Sequence, residues 1–246
     1  MSVTLLGRFY PESTFGGFSD IDGTVAFYAR VNALISPKAR VIDFGCGRGG
    51  HSEDVITFRR NLTCLQGKVS TVIGLDVDPV ASGNPRMDDF RLLRSGAPWP
   101  VESESIDLIV SDCVTEHLPD PVQFFAEACR VLVAGGFLCI RTPNRWSYVA
   151  IASRLIPNKR HTAVLKHAQP NRRDEDVFPT LYRCNTVRAI RKQMQRHGFQ
   201  SVVYGYEAEP SYLNFSNLAY GLGVLHQRLA PACMRPSIFA FGKKSD

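Results

Sequence analysis

Apolar positions fall into two rhythms along the chain. Short runs rich in β-branched and aromatic residues recur at 41–44, 69–76, 105–112, 137–140, 199–206 and 237–241. Between them, apolar residues return at helical spacing. Val25, Tyr28, Val31, Leu34 and Ile35 predict a helix that Thr24 can cap and Pro37 ends. Phe124, Phe125, Ala128, Val131 and Leu132 form one stripe behind Asp120 and Pro121, a cap and a first-turn proline. Gly135-Gly136 are expected to stop that helix. Another helix is predicted over 187–197, capped by Asn185 or Thr186 and stopped by Gly198. Strands alternating with helices predict an α/β domain with a largely parallel sheet. Residues 1–23 have weak periodicity and read as an irregular arm.

The first strand breaks into alternate glycines: Asp43-Phe44-Gly45-Cys46-Gly47-Arg48-Gly49-Gly50-His51. Ser52, Glu53 and Asp54 suit the first turn of a helix, predicted from His51 to the low sixties. Strand, glycine loop and helix start together open a nucleotide-binding βαβ unit. Glycine lets backbone approach a ligand, and the exposed N–H groups favour an electron-rich or anionic group. A tight turn alone would also place glycines here. The second strand ends in Asp76, where an acid can accept both hydroxyls of a ribose. Asp76 by itself serves NAD equally well. Asp43, two residues before the first glycine, suits a cationic ligand better than a pyrophosphate.

D-x-G-x-G-x-G resembles the first motif of class I S-adenosylmethionine methyltransferases, and Gly74-Leu75-Asp76-Val77-Asp78-Pro79 resembles the second. The order of strand, Glu116-His117-Leu118, an Asp-Pro helix, Arg130-Val131-Leu132 with paired glycines, and strand is similar to the methyltransferase 11-type domain. The resemblance implies a Rossmann-like, doubly wound seven-stranded sheet, mostly parallel with an antiparallel last strand, in a single domain over 1–246. It implies S-adenosylmethionine as cofactor, held by Asp43, Gly45, Cys46, Gly47, Gly49, Asp76, Val77 and Asp112. Residues 1–36, the arm and first helix, read as a plain packing element or, as the resemblance implies, as one that closes over the cofactor. One departure stands out. Relatives carry an acid for the adenine amino group before a Leu-Pro-Phe-like run, but Ser95-Gly96-Ala97 precedes Trp99-Pro100-Val101 here, and Asp88 and Asp89 are out of register. His117, just beyond the fourth strand, is the candidate general base, against a purely structural turn.

Segments 145–182 and 211–235 are longer than ordinary connections and are expected to form an acceptor lid over the carboxyl edge of the sheet. Tyr28, Asn144, Trp146, His161 and Tyr182 are candidate pocket residues, with His167 and Asp176 as further polar liners. Segment 211–235 has a second reading as a surface that rests on a membrane face. With 246 residues, 44% hydrophobic and 21% charged, the chain can bury a full core. A net charge of +6 would suit an RNA partner, but the arginines are scattered among acids, as at Arg172-Arg173-Asp174-Glu175-Asp176. The expected acceptor is a small or lipid-like molecule, methylated at oxygen. An RNA or protein methyltransferase, and a cofactor-binding module without turnover, remain the alternatives. Seven cysteines without a C-x-x-C pair read as buried hydrophobes in a reducing compartment, which with the absence of a signal-peptide pattern points to the cytoplasm. No run of 18 apolar residues occurs, and no metal-ligand spacing is evident.

Overall fold

A computed structural model of the chain describes residues 5–155 and 179–246; His161, His167 and Asp176 lie outside the described residues. Seven strands, β1 (Arg40–Phe44), β2 (Thr71–Asp76), β3 (Asp89–Leu92), β4 (Ile106–Asp112), β5 (Leu132–Pro143), β6 (Phe199–Tyr206) and β7 (Ser237–Lys244), form one sheet. Their order is β3-β2-β1-β4-β5-β7-β6. β1 to β5 pair in parallel, while β7 runs antiparallel to both β5 and β6. The strand order reverses beside β1, so a crevice opens between the carboxyl ends of β1 and β4, the usual ligand position in such sheets.

Alternation along the strands splits the core between two faces. Ile42 and Phe44 join the cluster that holds Phe124, Phe125, Ala128, Ile190 and Met194, carried by helices α4 (Pro121–Val131) and α6 (Val187–Arg196). Val41 joins the opposite cluster with Phe27, Tyr28, Val31 and Leu65, beneath helices α2 (Gly23–Leu34) and α3 (Thr57–Thr63). Asp43 shares the Val41 face and so turns toward α2 and α3 rather than toward α4. The cap of α2 is Asp22, not Thr24: its carboxylate accepts from Thr24 N at 2.8 Å and Val25 N at 2.9 Å.

Three predicted elements differ. The helix expected from His51 is broken into a 3-10 turn, Gly50–Glu53, and the short α3. Asp54 lies between them in extended conformation, accepting from Ile56 N at 2.9 Å and from Arg59 Nη2 at 2.9 Å. That local bond competes with the helix, and the β-branched Val55 and Ile56 favour it little. Helix α4 ends at Val131, because Leu132 already pairs with Ile106 as the first residue of β5. The paired glycines therefore fall inside β5, where Gly135 takes φ +75° at a register shift.

The amino-terminal arm is more ordered than its periodicity suggests. It forms helix α1 (Leu5–Phe9) and a 3-10 turn, Pro11–Thr14. Tyr10 is buried with Tyr220 and Val224 of helix α7 (Asn217–Leu229), against Leu5, Leu6, Phe9 and Ile21. Tyr10 Oη donates to Gln227 Oε1 at 2.7 Å. Gly221 and Gly223 do not break α7; a Cβ at Gly223 would come within 2.6 Å of Pro210, so glycine there permits close packing. A short helix, α5 (Tyr148–Leu155), follows β5. No helix among the described residues is long and apolar enough to cross a membrane.

Candidate active site

The crevice is built around the loop after β1. Gly45, Gly47 and Gly49 take φ of +72°, +51° and +79°, the left-handed region that favours glycine. At Gly45 a side chain is also excluded by contact, since a Cβ would lie 2.4 Å from Val114. At Gly47 a Cβ would meet nothing within 4 Å, so that part of the loop faces open space.

Asp76, at the end of β2, is buried beside this loop, only 8% exposed. Its Oδ2 accepts from Gly47 N at 2.9 Å and its Oδ1 from Asp78 N at 2.9 Å. A carboxylate offers about four acceptor positions, so two remain for the hydroxyls of a ribose. The residues present therefore fit a nucleoside next to the open loop. Val77 is exposed at the same corner, and the Cys46 thiol, pushed up by burial and by Asp43 and Asp76, is packed over Gly74. Asp88 and Asp89 sit at the amino end of β3, Asp88 accepting from Val72 N at 2.7 Å, and are thus at the wrong edge for adenine.

Behind the loop is a cavity whose lining includes Tyr28, Asp43, Cys46, His51, Asn84 and Arg86. Burial, opposed by His51, pushes the Asp43 carboxyl up to about 6. The sign of the consequence is definite. An unfolded Asp releases its proton near pH 4, but the folded Asp43 holds it to about 6. The native state is thus penalised as pH rises from 4, fully so above about 7. Asp43→Asn is expected to raise the melting temperature of the cofactor-free protein by several degrees at pH 8 and to leave it unchanged at pH 4. Parallel melts of both proteins at the two pH values check this, and an equal shift at both would refute it.

Asp112 closes β4 and is locked into an ion pair. Arg141 Nε and Nη2 donate to its two oxygens at 2.6 Å each, and His51 Nε2 lies 3.3 Å from Oδ2. Burial works against the charged form, yet the Arg141 charge and these hydrogen bonds hold the carboxyl well below the usual range. Arg141 Nη1 also donates to Thr24 Oγ1 at 2.7 Å. Asp112 thus ties β5 and α2 to β4.

His117 lies in a 3-10 turn, Thr115–His117, just past β4. Its Nδ1 is 3.0 Å from Pro179 O. A carbonyl only accepts, so Nδ1 carries the hydrogen and Nε2 is the basic nitrogen. Nε2 lies 3.7 Å from Oε1 of Glu116, a buried carboxyl pushed up chiefly by desolvation. Thr142 Oγ1 donates to Glu116 Oε2 at 3.0 Å, and the Glu116 carbonyl accepts from Leu181 N and Tyr182 N.

The expected pocket residues separate. Tyr182, with φ +50°, is held beside Glu116 and His117. Trp146 is half exposed, with the Arg145 guanidinium 5.7 Å from its ring. Tyr28 is instead buried on the cavity behind the glycine loop, its ring 5.8 Å from that of His51. Asn144 is 1% exposed and is a tie between segments: Nδ2 donates to the carbonyls of Cys233 and Arg235, and Oδ1 accepts from Trp146 N. Sequence reasoning missed Arg141, His51, Glu116 and Arg86. Only Arg141 carried a signal, a charge closing an otherwise apolar strand.

The sheet order and the acid-glycine loop define a class I methyltransferase fold. A methyltransferase-domain family profile matches residues 21–204, so the chain belongs to the class I S-adenosylmethionine-dependent methyltransferase family. A Mycolicibacterium smegmatis protein named as a probable S-adenosylmethionine-dependent methyltransferase is 35% identical over 115 residues, 44% of this chain and 39% of that one. The ubiquinone biosynthesis O-methyltransferase of Hahella chejuensis is 30% identical over 117 residues, 44% of this chain and 45% of its own. The chain spans about two fifths of the length of these and similar curated relatives. A methyltransferase structure from Archaeoglobus fulgidus superposes with TM-score 0.54 at 16% identity, covering 96% of this chain and 99% of that one. The geranyl diphosphate C-methyltransferase of Streptomyces coelicolor, solved with S-adenosyl-L-homocysteine, gives TM-score 0.54 at 15% identity, over 90% and 75% of the two chains. At these identities the structural likeness concerns the fold.

Proposed function

We propose that this protein transfers a methyl group from S-adenosylmethionine to a small or lipid-like acceptor, at an oxygen atom. The observation that carries the reading is Asp76, a buried carboxylate with acceptor positions to spare, set against the open backbone at Gly47. When bound, S-adenosylmethionine supplies an electrophilic methyl on a sulfonium. Asp76 holds the ribose hydroxyls, and the Asp43 carboxylate suits the amino group. A pyrophosphate beside Asp43 would meet a like charge, which favours this reading over NAD.

Methyl transfer depends on placing the nucleophile in line, so much of the rate comes from positioning. A hydroxyl acceptor also needs its proton removed, and His117 Nε2 is the group for that step. The lipid-like character is supported by α7, whose Leu218, Leu222, Leu225 and Leu229 are exposed along one side, with Phe215 beside them. No acidic residue occurs between Glu209 and Asp246, which suits contact with an anionic lipid surface.

Calorimetry is expected to show S-adenosylmethionine and S-adenosylhomocysteine binding in the micromolar range, about −8 kcal/mol, and no binding of NAD. Labelled S-adenosylmethionine incubated with quinone, polyketide, sugar-lipid and RNA fractions then identifies the acceptor. NAD binding without S-adenosylmethionine binding would sink the cofactor, and salt-sensitive methyl incorporation into RNA would sink the acceptor class.

A further inference from the structure

We propose that Arg86 anchors the carboxylate at the amino-acid end of the cofactor, so that the cavity behind the glycine loop recognises a zwitterion. This rests on the cofactor reading above. Arg86 belongs to the connection from β2 to β3 and is 9% exposed, and it lines the cavity together with Asp43. Its guanidinium is only partly engaged. Nη2 donates to Arg60 O at 3.1 Å and to Thr63 Oγ1 at 2.9 Å, both on α3, whereas the buried Nη1 has no acceptor among the described residues.

A buried guanidinium nitrogen without an acceptor is costly and calls for an anion. The same cavity carries the Asp43 carboxylate, which forms no salt bridge with Arg86 among the described residues. A plain anion would be repelled by Asp43, and a plain cation by Arg86. A group bearing an ammonium and a carboxylate on one carbon satisfies both. Carboxylate recognition by a guanidinium also brings geometric specificity that a lysine lacks.

The backbone fixes Arg86 relative to the loop. Arg86 N donates to Asn84 Oδ1 at 3.0 Å, while Asn84 Nδ2 donates to Cys46 O at 2.9 Å and Gly47 O at 3.2 Å. One asparagine thus ties the Arg86 turn to the glycines, and Gly47 in turn donates to Asp76. A ligand whose ribose sat at Asp76 would lie against the same loop that Asn84 ties to the Arg86 turn.

The test compares ligands as well as proteins. Calorimetry would follow S-adenosylmethionine, its decarboxylated form, and 5′-methylthioadenosine, which lacks the amino-acid arm, with the wild-type chain, Arg86→Met and Arg86→Lys. The wild type is expected to bind the decarboxylated form about ten- to a hundredfold more weakly than S-adenosylmethionine. Arg86→Met should lose a similar factor for S-adenosylmethionine and less than twofold for the two trimmed ligands, with Arg86→Lys between. A wild type indifferent to the carboxylate overturns the proposal even if Arg86→Met fails to fold. An Arg86→Met protein that loses all three ligands equally overturns it too, leaving Arg86 a structural tie for α3. Failure of the wild type to bind any of the three ligands would instead remove the cofactor reading itself.

Discussion

Asp76→Ala is expected to weaken S-adenosylmethionine binding by roughly a hundredfold or more. Two charge-assisted hydrogen bonds to ribose hydroxyls, at about 1.5–3 kcal/mol each, set that scale. The structure adds a second contribution. Gly47 N and Asp78 N both donate to this carboxylate, so its removal also loosens the loop that the ligand must meet. The melting temperature should therefore fall by a few degrees rather than stay constant. Asp76→Asn keeps one acceptor oxygen and should recover part of the affinity. Calorimetry on the three proteins, with circular dichroism to confirm the fold, checks the order wild type, Asn, Ala. An alanine variant that binds within twofold of wild type would remove Asp76 from the site.

The parts of the fold that were legible in the sequence are those where local pattern and tertiary packing agree. Val41, Ile42 and Phe44 read as a buried strand and are one, because each face of β1 meets apolar helices. The Asp120-Pro121 start of α4 was legible because a cap and a first-turn proline act through nearest neighbours; Asp120 Oδ1 accepts from Val122 N and Gln123 N. The misread boundaries lie where distant partners decide. Leu132 looks like the last apolar position of a helix, but pairing with Ile106 makes it strand.

The candidate site divides in the same way. Gly45, Gly47, Gly49 and Asp76 were legible because the loop and the strand end are each defined within a few residues. Asp43 was legible as an acid before the glycines, though its partner across the cavity was not. Arg86 follows Asn84-Pro85 in an irregular connection and carries no periodicity that would mark it. Its significance arises only when α3 and the β2–β3 connection come together. Asp112 was read as a ligand contact because its strand position suits one. That Arg141, 29 residues away, donates to both of its oxygens was not legible. Asn144 shows the same effect, since carbonyls of Cys233 and Arg235 claim its amide.

Arg141→Met should be the most destabilising single change in the network around the site. It leaves the Asp112 carboxylate buried with the His51 ring nitrogen as a remaining neighbour at 3.3 Å, and it removes the donor to Thr24 at the start of α2. Breaking one side of a buried pair costs about 3–5 kcal/mol. For a chain of this size that is a fall of roughly 6–20 °C in melting temperature. The double variant Asp112→Asn/Arg141→Met should be less destabilised than Arg141→Met alone, because no uncompensated charge is then buried. Acid gives an independent check with a fixed sign. The folded Asp112 carboxyl titrates below its unfolded value, so the stability it contributes is present above about pH 4 and is lost as pH falls through the folded value. In Arg141→Met that carboxyl can instead protonate at mild acidity and relieve the buried charge. The gap in melting temperature between wild type and Arg141→Met should therefore be widest near pH 7 and narrow toward pH 3. A gap that stays constant with pH would mean that Arg141 acts through its packing on the rings of Phe27 and Tyr28, whose centroids lie 5.6 Å and 5.9 Å from the guanidinium carbon, and not through its charge.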